Sequence, residues 1–179
     1  MKVLIVVDMQ NDFISGALGT PEAAAIVGNV IKRIENSKGE LILFTKDTHG
    51  EDYLTTPEGK KLPVPHCIEG SEGWEINAVI YAAYLNNASK IEVSGHIINK
   101  PVFGSVALVD YLKSREAEIE SIELLGVCTD ICVVSNAIML KNTLLNVPIC
   151  VNEACCAGVT PQSHVEALNT MRMCQIDVI

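Results

Sequence analysis

The chain has 179 residues, 49% of them hydrophobic and 20% charged, with a formal net charge of −9 and a mean hydropathy of +0.29, enough to bury a core as one domain over residues 1–179 without disulfides or a structural metal. Thirteen basic residues against 22 acidic ones, with no Lys/Arg run longer than two, speak against nucleic acid and anionic membrane as partners. No uncharged apolar run nears the ~20 residues that span a bilayer, the short apolar run after Met1-Lys2 ends at Asp8 rather than in a signal peptide, and the seven cysteines lack small-scaffold spacing; reduced thiols and a cytoplasmic location are expected.

The run KVLIVVD (residues 2–8) is apolar on both faces and rich in Val and Ile, as a central strand of a parallel sheet is. Asn11-Asp12 is a turn pair, with Asp12 as the turn-former. Pro21 then opens a helix over residues 21–38 with Ile26, Val30 and Ile34 on its apolar face, closed near Gly39. A second strand over residues 40–47 ends at Asp47. Residues 50–72 lack periodicity and carry Pro57, Pro63, Pro65, Gly50, Gly59 and Gly70, which predicts a long loop of the kind that is usually functional. A helix over residues 74–87 and a third strand over residues 91–98 lead to Lys100. Ser105 is placed to cap a helix over residues 105–116. The strand over residues 119–127 runs at once into a helix over residues 130–146 that Thr129 or Asp130 could cap. A strand over residues 146–154, a helix over residues 161–174 with Thr160 as cap and Pro161 in its first turn, and a strand over residues 175–179 complete the chain. Strands alternating with helices predict an α/β protein whose parallel sheet is covered on both faces.

Asp8, Lys100 and Cys132 each sit where an apolar run gives way to a turn or a new element. In an open parallel sheet such positions converge on the carboxyl ends of the strands. Gathered there, a carboxylate, an ammonium and a thiol make a base, a charge that favours the thiolate, and a nucleophile. Cys132 falls in the first turn of its helix, where free amides and the helix dipole favour a thiolate and can face a developing oxyanion. Taken alone, Asp8 reads equally well as a turn cap, and a cysteine is more often a small buried hydrophobe than a nucleophile. Cys150 in its strand and Cys174 on the last helix read as core. Asp47 and His49 after a strand end, joined by His66 and with Glu58 between, have the donor types of a zinc, iron or manganese site; solvated loop histidines are the alternative. His96 and His164 read as structural.

Four blocks in order, VVDMQNDF, Lys100 after the third strand, GVCTDICV and NEACCAGVTPQSHVEAL, resemble the successive signatures of the isochorismatase-like cysteine hydrolases, a superfamily that includes nicotinamidases and N-carbamoylsarcosine amidohydrolase. The resemblance implies a Rossmann-like three-layer α/β/α sandwich around a six-stranded parallel sheet in the order 3-2-1-4-5-6. It also implies roles: Asp8 as proton acceptor and later donor, Lys100 as thiolate stabiliser, Cys132 as nucleophile, the backbone amides of Cys128 and Cys132 as oxyanion hole, and a cis bond between Val127 and Cys128. Phe13 matches an aromatic of the substrate pocket, though a core phenylalanine is the equal alternative, and Phe103 could supply another wall.

TKDTHG and PHCIEG resemble the metal-binding segments of nicotinamidases, where a metal can hold the pyridine nitrogen. Asp47, His49 and His66 match by motif and Glu58 matches a ligand of some members only. Two departures bear on the substrate: Pro63 stands where nicotinamidases commonly carry tryptophan, and KPVFGSVAL lacks the usual Ser-Ala-Phe pattern. The reading is a cysteine-dependent amidase for a small carboxamide, nicotinamide first, forming a homo-oligomer. The rivals are an N-carbamoyl compound or another small amide or imide as substrate, and a non-catalytic binding or redox-responsive protein on the same scaffold.

Overall fold

A computed structural model describes residues 1–88 and 96–179. Six parallel strands form one sheet in the order β3-β2-β1-β4-β5-β6, as expected: β1 Lys2–Val7, β2 Leu41–Asp47, β3 His96–Lys100, β4 Ser121–Val127, β5 Ile149–Ala157 and β6 Asp177–Val178. The central strand has all of Val3 to Val7 buried, the continuous apolar run that coverage on both faces requires. Helices α1 Asn11–Ile14, α2 Pro21–Glu35, α3 Pro57–Lys61 and α4 Ala78–Ala88 come before β3, and α5 Val106–Lys113, α6 Val134–Thr143 and α7 Pro161–Met173 after it. α2 packs against α4, whereas α5 packs on α6 and α6 on α7, giving the two outer layers. Among the described residues no helix is long and apolar enough to cross a membrane.

The helix caps follow the sequence. Thr160 accepts from the Ser163 amide in a capping box with Pro161 in the first turn, and Ser105 accepts from the Leu108 amide. Thr20, an unremarked threonine before Pro21, caps α2 through the Ala23 amide.

Other expectations are corrected. The 50–72 segment is not wholly irregular, because Thr56 caps the short helix α3 and a 3-10 turn spans Tyr53–Thr55. The helix expected over residues 74–87 begins only at Ala78. Residues 91–95 of the third predicted strand, and the reading of the His96 side chain, lie outside the described residues. Neither Thr129 nor Asp130 caps the following helix: Thr129 Oγ1 lies 2.8 Å from His164 Nδ1, and the Asp130 carboxylate accepts from the Val159 amide. In place of a capped start, a π turn over Thr129–Val133 leads directly into α6. β5 runs to Ala157, three residues beyond its predicted end, past a bulge opposite Leu124 and Gly126. Cys174 is exposed and Cys150 only half-buried, so neither is a core residue.

One glycine is dictated by the sheet centre. Gly126 has φ +122°, and a Cβ there would lie 2.1 Å from the Val7 carbonyl oxygen of β1. We therefore expect Gly126→Ala to lower stability by about 3 kcal/mol or more, as measured by the urea midpoint at constant m-value.

Candidate active site

Register decides what meets at the top of the sheet. Val7 pairs with Gly126 and Asp47 with Lys100, so Asp8, Asp47, Lys100 and Cys128 all stand at or just past carboxyl ends of neighbouring strands, where open α/β sheets place ligands. Cys132 is presented by the π turn that follows β4, a helical irregularity often found at functional sites. The Val127–Cys128 bond is cis. Asp8 takes φ +49°, a left-handed conformation uncommon for a non-glycine residue.

Lys100, 1% exposed, is the centre of the cluster. Its Nζ lies 2.7 Å from Asp8 Oδ2, 3.2 Å from Asp47 Oδ1, 3.2 Å from the Val102 carbonyl and 3.5 Å from Cys132 Sγ. Asp8 is fully buried; Thr45 Oγ1 donates to its Oδ1 at 2.6 Å, while its Oδ2 meets the Lys100 ammonium at 2.7 Å.

Burial raises the Asp8 carboxyl above the usual range against the pull of Lys100, with Asp47 adding to the rise. Burial would lower Lys100, but the charges of Asp8, Cys132 and Asp47 outweigh it and hold the ammonium above the ordinary lysine range. Burial and the Asp8 charge push the Cys132 thiol well up, and Lys100 offsets only part of that. The lysine therefore acts on the thiol in the expected sense, while burial and the Asp8 charge act against the thiolate. Burial also raises Cys128, to about 12, and Cys150, to about 11. Cys132 is the one with an ammonium at hydrogen-bonding distance among the described residues.

Asp47 faces both ways. Its Oδ1 meets Lys100, while its Oδ2 lies 2.9 Å from His49 Nε2 and 3.5 Å from His66 Nε2. Glu58 Oε1 comes to 3.7 and 4.0 Å of the same two nitrogens. Burial would raise Asp47, but the hydrogen bonds of the two histidines and the Lys100 charge win and keep it well below the usual carboxylate range. All four donor atoms lie within 4.8 Å of one another. A tetrahedral ion with bonds of about 2.0–2.1 Å needs donors roughly 3.3 Å apart, so the set of two imidazoles and two carboxylates fits a divalent transition metal. His66 Nδ1 donates to the Val64 carbonyl at 2.8 Å, which fixes the proton on that nitrogen and leaves the Nε2 lone pair to ligate.

A cavity of about 310 Å³ joins the two halves. Cys128, Cys132, Asp47, Glu58 and His66 line one part of it; Phe13 and Phe103, both flagged by the sequence, share the apolar wall with Leu18, Leu62, Ile131 and Val159. That volume is at the small end for ligand sites and suits a single ring. Phe13 serves both of its sequence readings, being buried in the core and edge-on to His66 with ring centroids 5.6 Å apart.

Sequence reasoning missed Thr45 and Gln10. Both carried a signal, a polar residue in or beside a strand buried on both faces, where it must find a partner. Leu18, Thr20, Ile131 and Val159 carried none, because their apolar or capping duties conceal a place in the cavity wall.

The isochorismatase domain family matches residues 2–179. The nicotinamidase/pyrazinamidase of Mycobacterium tuberculosis is 27% identical over 100% of this chain and 98% of its own length. The crystal structure of pyrazinamidase/nicotinamidase from Streptococcus mutans superposes with a TM-score of 0.85 at 28% identity, covering 100% of both chains. The pyrazinamidase of Pyrococcus horikoshii in complex with zinc gives 0.77 at 26% identity, over 99% of this chain and 98% of that one.

Removing Asp8 takes away a charge that raises the thiol and leaves Lys100, which lowers it. Asp8→Asn should shift the pH profile of Cys132 alkylation by iodoacetamide to lower pH. Lys100→Met should shift it to higher pH. Peptide mapping of the labelled cysteine at each pH checks both signs.

Proposed function

The chain belongs to the isochorismatase domain family, and on that premise we propose that it is a cysteine-dependent amidohydrolase that converts nicotinamide to nicotinate and ammonia. The observation that carries the reading is the contact of one buried ammonium with Asp8 Oδ2 at 2.7 Å and Cys132 Sγ at 3.5 Å beside a ring-sized cavity. Relatives over the whole chain named nicotinamidase/pyrazinamidase support the substrate class.

Asp8, beside both the Lys100 ammonium and the Cys132 thiol, takes the thiol proton as Sγ attacks the carboxamide carbon. The backbone amides of Cys128 and Cys132 receive the oxyanion. Protonated Asp8 returns its proton to the amine, ammonia leaves, and a thioester remains on Cys132. Water gives a proton to the Asp8 carboxylate as its oxygen adds to the thioester carbonyl; the C–S bond then breaks, Asp8 returns that proton to the sulfur, and the acid leaves as nicotinate with its own proton lost to solvent. Lys100 keeps its charge throughout and balances the negative charge passed between Asp8 and Cys132.

Asp47, His49, Glu58 and His66 would hold a divalent metal, zinc first with iron or manganese as rivals. Once bound it would supply a Lewis acid for the pyridine nitrogen, fixing the ring in the cavity. In place of the indole that Pro63 replaces, Leu62 and Phe103 close the wall. The seven free cysteines suit the reducing cytoplasm, and a homo-oligomer is part of the same reading.

Cys132→Ala should abolish ammonia release while leaving the fold intact, and Cys150→Ala should change stability alone. Wild-type turnover by Cys132→Ala would end the thiol mechanism, and ammonia release from none of a panel of small amides would leave the binding or redox reading. Stripping the metal should raise KM for nicotinamide, and benzamide, which lacks the ring nitrogen, should be a poor substrate. Equal turnover of the two by metal-free protein would remove nicotinamide as the preferred substrate, in favour of N-carbamoyl compounds or other amides.

A further inference from the structure

We infer that Gln10 and Asp12 are positioning residues for the metal-binding half of the site, an inference that rests on the reading of Asp47, His49, Glu58 and His66 as metal ligands. Strand β1 ends at Val7, two residues short of the register at which it would pair with Asp47. On its other side Asp47 is held by the pairing with Lys100. The Gln10 side chain, 0% exposed, completes the missing side: its Oε1 accepts from the Asp47 amide at 2.7 Å and its Nε2 donates to the Asp47 carbonyl at 2.8 Å. A side-chain amide thus stands in for a neighbouring strand, and by taking both backbone groups of one residue it fixes the peptide planes on either side of the Asp47 Cα. The same Nε2 donates to the Trp74 carbonyl at 2.9 Å, so the clamp is itself anchored.

Asp12 does the corresponding work at His66. Its Oδ2 accepts from the Cys67 amide at 2.8 Å, which is the peptide that follows His66 directly, and its Oδ1 accepts from Ala17 at 3.2 Å. Cys67 takes φ +47°, a left-handed conformation that a non-glycine residue keeps only when its surroundings impose it. The Cys67 carbonyl in turn accepts from the His49 amide at 3.0 Å. One carboxylate therefore fixes the backbone between two ligands, and the short segment after Asp8 organises the metal half as well as supplying the base.

The test is titration of metal-free protein with Co²⁺, followed by its visible absorption, for wild type, Gln10→Met and Asp12→Ala, at a temperature where circular dichroism shows each folded. Each variant should bind Co²⁺ about 10–100-fold more weakly, the loss usual for a group that orients a ligand. Leu168→Ala, a truncation in the core beneath α7, should lose stability and keep wild-type affinity, which separates positioning from general loosening. Should Gln10→Met fail to fold, Asp12→Ala alone decides. Folded variants with wild-type Co²⁺ affinity, or an equal loss in Leu168→Ala, would overturn the inference and leave the metal site standing. A wild-type protein that binds no Co²⁺ would instead overturn the metal reading itself, and this inference with it.

Discussion

A single buried ammonium, shared between two aspartates, holds the top of this sheet together. Lys100 is desolvated almost completely and meets Asp8 on one side and Asp47 on the other. Taking a lysine out of water is favourable only where anions and hydrogen-bond acceptors replace the solvent, and removing one partner of a buried pair typically costs on the order of 3–5 kcal/mol because the other charge is left uncompensated. The cluster is thus weak as a source of net stability and strong as a constraint on geometry. β3, β2 and β1 must be in register for the three side chains to meet, and the pairing of β1 with β4 places the thiol beside them.

Asp47 turns this constraint into a connection. With one oxygen on Lys100 and the other toward two histidines, it makes the thiol half and the histidine half one electrostatic unit. Its carboxylate stays ionised because cations and donors surround it. Asp8 is pushed the other way by deeper burial, with the Asp47 charge adding to the rise and Lys100 and the hydrogen bond from Thr45 offsetting only part of it. Two carboxylates on adjacent strands are thereby separated in proton affinity, Asp47 lowered and Asp8 raised.

The surroundings explain why Cys132 differs from the other six cysteines. Most of them are pushed up by burial as well, so thiol acidity by itself does not single out a nucleophile here. What distinguishes Cys132 is a buried carboxylate and a cation beside it, at the wall of a cavity of about 310 Å³. Lys46, the neighbour of Asp47, shows the contrasting case: also buried, it is consumed by Glu75 at 3.1 Å and by the Trp74 ring at 3.0 Å, and it braces the strand rather than the site.

The sequence by itself determined the strands, their parallel sheet, and the caps at Ser105 and Thr160, because hydrophobic period and cap chemistry act within a few residues. It also put Asp8, Lys100 and Cys132 at element boundaries, and the donor types of Asp47, His49, Glu58 and His66 were legible as ligand chemistry. The tertiary structure alone decided that Asp47 joins both groups, that Thr129 and Asp130 serve α7 and its approach instead of capping a helix, and that Cys174 faces solvent. Each of these depends on which residues from distant parts of the chain lie within a few ångströms, and on how much water they exclude; the register of β1, β2, β3 and β4 sets both, and local sequence carries neither.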